Sequence, residues 1–214
     1  MTQDKTTSTT VRWILTIVAV ILNALGVAFI TIAGLGTVPA TAIPHVASIV
    51  YPRFTLGMYL FVLSILQILL QIILLRREFK LFQLTQIIPS VVLSYFVDFF
   101  MLLLQPLPLP NYVSQLLYLL IGTVILSYSI ALEVHVDLIY LPLDGLNQAI
   151  AYRTGKGFDL IKTITDCAMV AIALLIIIPA KHGLYGVREG TILSALFAGW
   201  LVNIFSRLMK RNRK

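Results

Sequence analysis

Six stretches of this chain are long and apolar enough to cross the core of a lipid bilayer, which takes about 20 helical residues. They are residues 13–35, 55–75, 81–104, 112–131, 158–179 and 190–207. Only 12% of the 214 residues are charged, against about 25% in a soluble chain. The expected fold class is therefore all-α, a polytopic membrane protein of six transmembrane helices. Little chain is left over for a soluble domain.

The first stretch runs on to Gly34 and Gly36 with no small-residue cleavage site, so it reads as a retained helix and not a signal peptide. Lone Cys167 lies inside the fifth stretch without an intrachain partner and suits apolar packing. A net charge of +7 would suggest nucleic acid in a soluble protein; here its distribution matters more. With the N-terminus in the cytoplasm, 13 of the 16 Lys and Arg residues fall on the inner side, leaving Arg53, Lys181 and Arg188 outside. That asymmetry places both termini in the cytoplasm and makes anionic lipid headgroups, not nucleic acid, the partner of the basic tail RLMKRNRK.

Two segments between the spans are too broken or too polar for a plain crossing. Residues 36–52 (GTVPATAIPHVASIVYP) hold three prolines but stay largely apolar, and residues 142–159 (PLDGLNQAIAYRTGKGFD) gather Asp144, Asn147 and Gln148 beside a proline and a glycine. Proline removes backbone donors, and backbone freed at membrane depth must be buried by protein or line a wet cavity. Each segment is read as a short re-entrant or interfacial half-helix, with a surface loop as the plainer alternative for the first.

Several spans carry polar groups that are costly in lipid and so should face the bundle. Asp98 lies in YFVDFFMLLL, Asn23 in the first span beside Ala24, Gly26 and Ala28, and Gln67 and Gln71 share one face of the second. Asp159, Lys162 and Asp166 recur at helical spacing, where an ion pair or a shared proton is open to them; a charge-satisfying structural role fits as well. Glu133, His135 and Asp137 read better as a solvated helix end than as a metal site, because no HxxxH or CxxC spacing accompanies them. Glu189 suits the first turn of the last helix through the helix dipole.

Laying residues 86–100 over 191–205 pairs Tyr95 with Trp200 and Asp98 with Asn203. Nearly the same offset pairs Pro39 with Pro142 and Thr41 with Asp144. The chain thus divides into two three-helix repeats, residues 1–107 and 108–214, within a single membrane domain. Three spans per repeat force the second to enter from the opposite side, the inverted arrangement in which interrupted helices frame a central site.

Leu35-Gly36-Thr37-Val38-Pro39 after the first span, Pro142-Leu143-Asp144 after the fourth, and Gly186-Val187-Arg188-Glu189-Gly190-Thr191-Ile192 before the sixth give the chain a resemblance to the bacterial YczE/YyaS/YitT family of multi-pass membrane proteins. The resemblance covers residues 15 to 207 and implies a bacterial cell membrane and a transporter or accessory role. Members often carry Pro-x-Asp in the first half too; here Pro39-Ala40-Thr41 replaces it, so only Asp144 keeps the acid.

Two functions fit. In a small-solute carrier or binder, Asp98, Asp144, Asp166 and Asn203 line the pathway, Asn147 and Gln148 orient the solute, and Thr41 and Glu189 complete the set. In a non-transporting accessory or scaffold protein, the occupant is a lipid, a peptide, a second copy or a membrane partner protein. Catalysis is disfavoured: no GxGD, HExxH, nucleotide loop or serine elbow is present, and no cofactor is expected. The topology predicts that, in a Cys167→Ser background, a membrane-impermeant maleimide labels Arg53→Cys in intact cells and labels Lys156→Cys only after permeabilisation.

Overall fold

The computed structural model describes residues 8–106, 111–180 and 188–211. Most of the PLPLPN and KHGLYGVRE connections lies outside the described residues, as do the extreme termini. Eight α-helices follow in order: α1 (Thr9–Ile32), α2 (Ala42–Val50), α3 (Leu56–Leu75), α4 (Ile87–Leu104), α5 (Tyr112–Val136), α6 (Pro142–Thr154), α7 (Phe158–Ile177) and α8 (Glu189–Arg211), with no strand among the described residues. All but α2 and α6 are long and apolar enough to cross a membrane, six in number.

Local chemistry sets the ends. Helix α1 stops at Ile32 ahead of Gly34 (φ 69°) and Gly36 (φ 122°), conformations that a Cβ disfavours. Thr55 caps α3 through the Met58 amide, and Asn111 and Ser114 cap α5 reciprocally. Helix α6 begins with Pro142 at its first position and ends at Gly155 in the left-handed region. The third span opens as a 3-10 stretch, Leu81–Gln86, before regular helix starts at Ile87. Pro89 explains the change, since it has no N–H to give and is tolerated in a first turn.

Helix α1 is the core of the bundle, packing along both α5 and α4. Ala24, Ala28 and Ile30 on it are fully buried, so its small residues do serve packing. Where α1 crosses α5, a Cβ on Gly26 would stand 2.8 Å from the Leu126 amide nitrogen and 2.9 Å from the Gly122 carbonyl oxygen. Only backbones without side chains approach so closely.

The remaining packing has a two-fold pattern. Helix α4 packs on α1 as α8 packs on α5, α2 packs on α7 as α6 packs on α3, and α2 packs on α3 as α6 packs on α7. The equivalences α1/α5, α2/α6, α3/α7 and α4/α8 are those of the repeats read from the sequence. One term is missing: α3 packs on α4, whereas α8 packs substantially on α5 alone among the described residues.

The starts of α1, α4 and α7 and the ends of α3, α5 and α8 share one face of the bundle, here the terminal face. Overpacking the α1–α5 crossing should cost about 1–3 kcal/mol. Gly26→Leu is expected to lower the thermal midpoint of the detergent-solubilised protein clearly, whereas Gly199→Ala, with nothing within 4 Å of its added Cβ, leaves it in place.

Candidate functional site

Both half-helices sit between α3 and α7, α2 from the opposite face and α6 from the terminal face. The α2 contact is apolar: Ala42 and Val46 lie against Ala173 and Ile177. At the corresponding place, α6 meets polar groups. Gln71 and Gln86 exchange amide hydrogen bonds at 3.1 and 3.2 Å, and Gln71 also donates to the Pro142 carbonyl at 3.0 Å. Gly145 lies over this pair, and a Cβ there would come within 2.9 Å of both amides.

Helix α6 then turns its acid and amide toward α7. Lys162 Nζ donates to Asp144 Oδ1 at 2.7 Å, and Thr165 Oγ1 donates to Asn147 Oδ1 at 2.7 Å. Both pairs tie the first half of α6 to the second turn of α7. Asn147 is fully buried, and its Nδ2 has no hydrogen-bond partner. Lys162 lies about 6 Å into α7 from its start and Thr165 about 10 Å, at a rise of 1.5 Å per residue.

Two more carboxylates attend the same ammonium. Glu133 and Asp166 both lie close enough to act electrostatically on Lys162. Glu133 is buried near the end of α5 and accepts from the Leu141 amide at 2.9 Å, joining α5 to the start of α6. A solvated helix end was the expectation for this residue. Helix α5 instead runs five residues past 131, to Val136, and carries Glu133 inward. On the outer side of the cluster Tyr140 donates to Asp137 Oδ1 at 2.5 Å, and Gln148, itself exposed, is hydrogen-bonded to the same hydroxyl. Burial, and then the bond to Asp137, hold the Tyr140 phenol above its ordinary pKa.

Of the candidate residues, Asp144, Asn147, Gln148 and Asp166 are brought together. The other four stand elsewhere. Thr41 belongs to a hydroxyl chain at the opposite face: Thr41 bonds Thr37 at 2.8 Å, Thr37 bonds Thr31 at 3.3 Å, and the Thr37 amide donates to Thr191. Asp98 accepts from the Gly57 amide at 2.7 Å and from Thr55 Oγ1 at 2.6 Å, closing the start of α3. Glu189 is exposed and pairs with its neighbour Arg188 at 2.8 Å. Asn203 is exposed along α8.

Along α7 the α2 contact at Ala173 and the α6 contact at Thr165 are eight residues apart, about 12 Å. Met169, between them, is buried. The two half-helices thus converge on one pair of spanning helices, with α7's own thioether between their contacts. Sequence reading missed Glu133 and Thr165; no local signal marks Thr165, whose partner Asn147 lies on another helix.

The Asp144–Lys162 pair is partly exposed, which limits its net worth, but removing Lys162 strands Asp144 beside the carboxylates of Asp166 and Glu133. Lys162→Ala should therefore destabilise more than the double change Asp144→Ala with Lys162→Ala. A double-mutant cycle read by thermal unfolding is expected to return a coupling of about 1 kcal/mol.

No curated protein and no solved structure matches this chain. Residues 10–207, which hold all eight helices apart from their outermost residues, match a family of unknown function, DUF6198. The protein belongs to that family.

Proposed function

We propose that this protein binds and carries a small polar solute, and that the site is the edge between α6 and α7. The observation that carries the reading is the cluster itself: Asp144, Asp166 and Glu133 around Lys162, with the fully buried Asn147 amide offering an unused donor. Ionisable groups inside a membrane bundle are costly and mark solute or proton paths. A half-helix that ends within a bundle supplies the irregular backbone at which carriers bind.

Three acids around one ammonium suit a solute with a cationic end, which competes with Lys162 for Asp144. Asn147 and Gln148 orient its polar remainder, and Asp166 and Glu133 take up the displaced charge or a proton. The inverted repeat and the resemblance to YczE/YyaS/YitT proteins of the bacterial cell membrane support the same reading, with the terminal face toward the cytoplasm. Asp98, Thr41, Glu189 and Asn203 lie outside this site.

An accessory or scaffold role has one observation in its favour. Past its first turns α8 is largely exposed, leaving Trp200, 62% exposed, and Asn203 open to a partner. Proteoliposome uptake of labelled glycine, lysine and putrescine under an imposed pH gradient separates the two. A carrier moves at least one of them, and Asp144→Asn or Lys162→Met lowers uptake by about tenfold or more. Absence of uptake for all three, or uptake unchanged in both variants, would favour the scaffold.

A further inference from the structure

A groove of about 630 Å³ opens on the side of the bundle between α3 and α4, away from the α6–α7 cluster. Its walls are apolar, with Met58 and Val62 from α3 and Val91 from α4, yet Asp98 stands at one end. Gly57 brings the two helices together there, since a Cβ would collide with the Ser94 carbonyl and the Asp98 carboxyl group. The carboxylate is fixed by the Gly57 amide and the Thr55 hydroxyl, and each oxygen keeps a second lone pair. Ser94, also lining the groove, is 8% exposed and its hydroxyl has no partner.

No lysine or arginine lines this groove, and among the described residues none forms an ion pair with Asp98. Phe54, Tyr59 and Tyr95 stand around the acid end, and aromatic faces attract cations. Position adds a constraint. Asp98 bonds the first turn of α3, at the end of the span, whereas Val91 lies seven residues back along α4, about 10 Å deeper. The groove is polar where a lipid's head meets its chains and apolar where the chains run.

We propose that this groove seats a membrane lipid by a primary ammonium headgroup, with the ammonium on Asp98 and Ser94 and an acyl chain along Val62 and Val91. Three N–H donors match the free lone pairs of Asp98 and the Ser94 oxygen. A quaternary ammonium has no donor and leaves them unbonded. Phosphatidylethanolamine is the occupant, since phosphatidylserine, which also has a primary ammonium, would bring a second carboxylate beside Asp98; the site is independent of any solute at α6 and α7.

The test titrates the detergent-solubilised full chain with phosphatidylethanolamine, phosphatidylcholine and phosphatidylglycerol of identical acyl chains, counting retained lipid by native mass spectrometry. Phosphatidylethanolamine should be retained about fivefold over both others, the scale of a charge-assisted hydrogen bond. Asp98→Asn and Val62→Trp should each reduce it to the phosphatidylcholine level. Val62 is 56% exposed on the groove rim, so Val62→Trp fills the groove without touching the Asp98 bonds and decides the matter if Asp98→Asn fails to fold. Equal retention of the three lipids, or a preference that survives Val62→Trp, overturns the proposal.

Discussion

A backbone amide or carbonyl that leaves a helix inside a bilayer has no water to bond, and this chain interrupts its helices repeatedly. Among the described residues several interruptions are met by a particular side chain, and one by a backbone amide. Arg12 reaches the carbonyls of Val136 and Asp137 at the end of α5, and Arg153 those of Leu74 and Leu75 at the end of α3. Glu133 takes the Leu141 amide before α6, and Asp98 the Gly57 amide at the start of α3. Arg188 bonds the Gly34 carbonyl, and the Gly190 amide bonds that of Leu35. Five charged side chains of a sparsely charged protein thus close helix ends.

This use of charge explains which features were legible from sequence. Span number follows from apolar length, and the two interrupted segments from proline density in the first and polar residues in the second, all local properties that were readable. Helix packing on small residues was readable for the same reason, in Ala24, Gly26 and Ala28. The site was only half readable. Asp98 in an apolar run looks the same whether it lines a path or closes the first turn of α3, because the difference lies in Gly57, 41 residues away. Glu133 was misjudged because polar neighbours, His135 and Asp137, made a buried turn resemble a solvated end.

The motifs behind the family resemblance find a physical use in the same terms. Leu35-Gly36-Thr37 and Gly190-Thr191 are two halves of one joint: the Gly190 amide bonds the Leu35 carbonyl, and the Thr191 hydroxyl accepts from the Thr37 amide. A Cβ on Gly190 would sit 2.5 Å from the Leu35 oxygen, so the approach requires glycine. This joint ties the end of α1 to the start of α8, and so the first repeat to the second. Pro142-Leu143-Asp144 differs in kind, because its acid faces Lys162 on α7.

That difference separates the repeats chemically while their packing stays equivalent. Ala42 on α2 meets Ala173, whereas Gly145 on α6 meets the Gln71–Gln86 pair. One half-helix is seated by apolar contact and the other by bonds that water or a solute could exchange. A buried amide pair is specific in geometry but modest in net energy, since each member can bond water once exposed. Water and polar solutes offer an apolar contact no such substitute. If one half-helix shifts when a solute arrives, the physics selects α6, whose partners on α3 and α7 are polar, while α2 stays as the fixed wall.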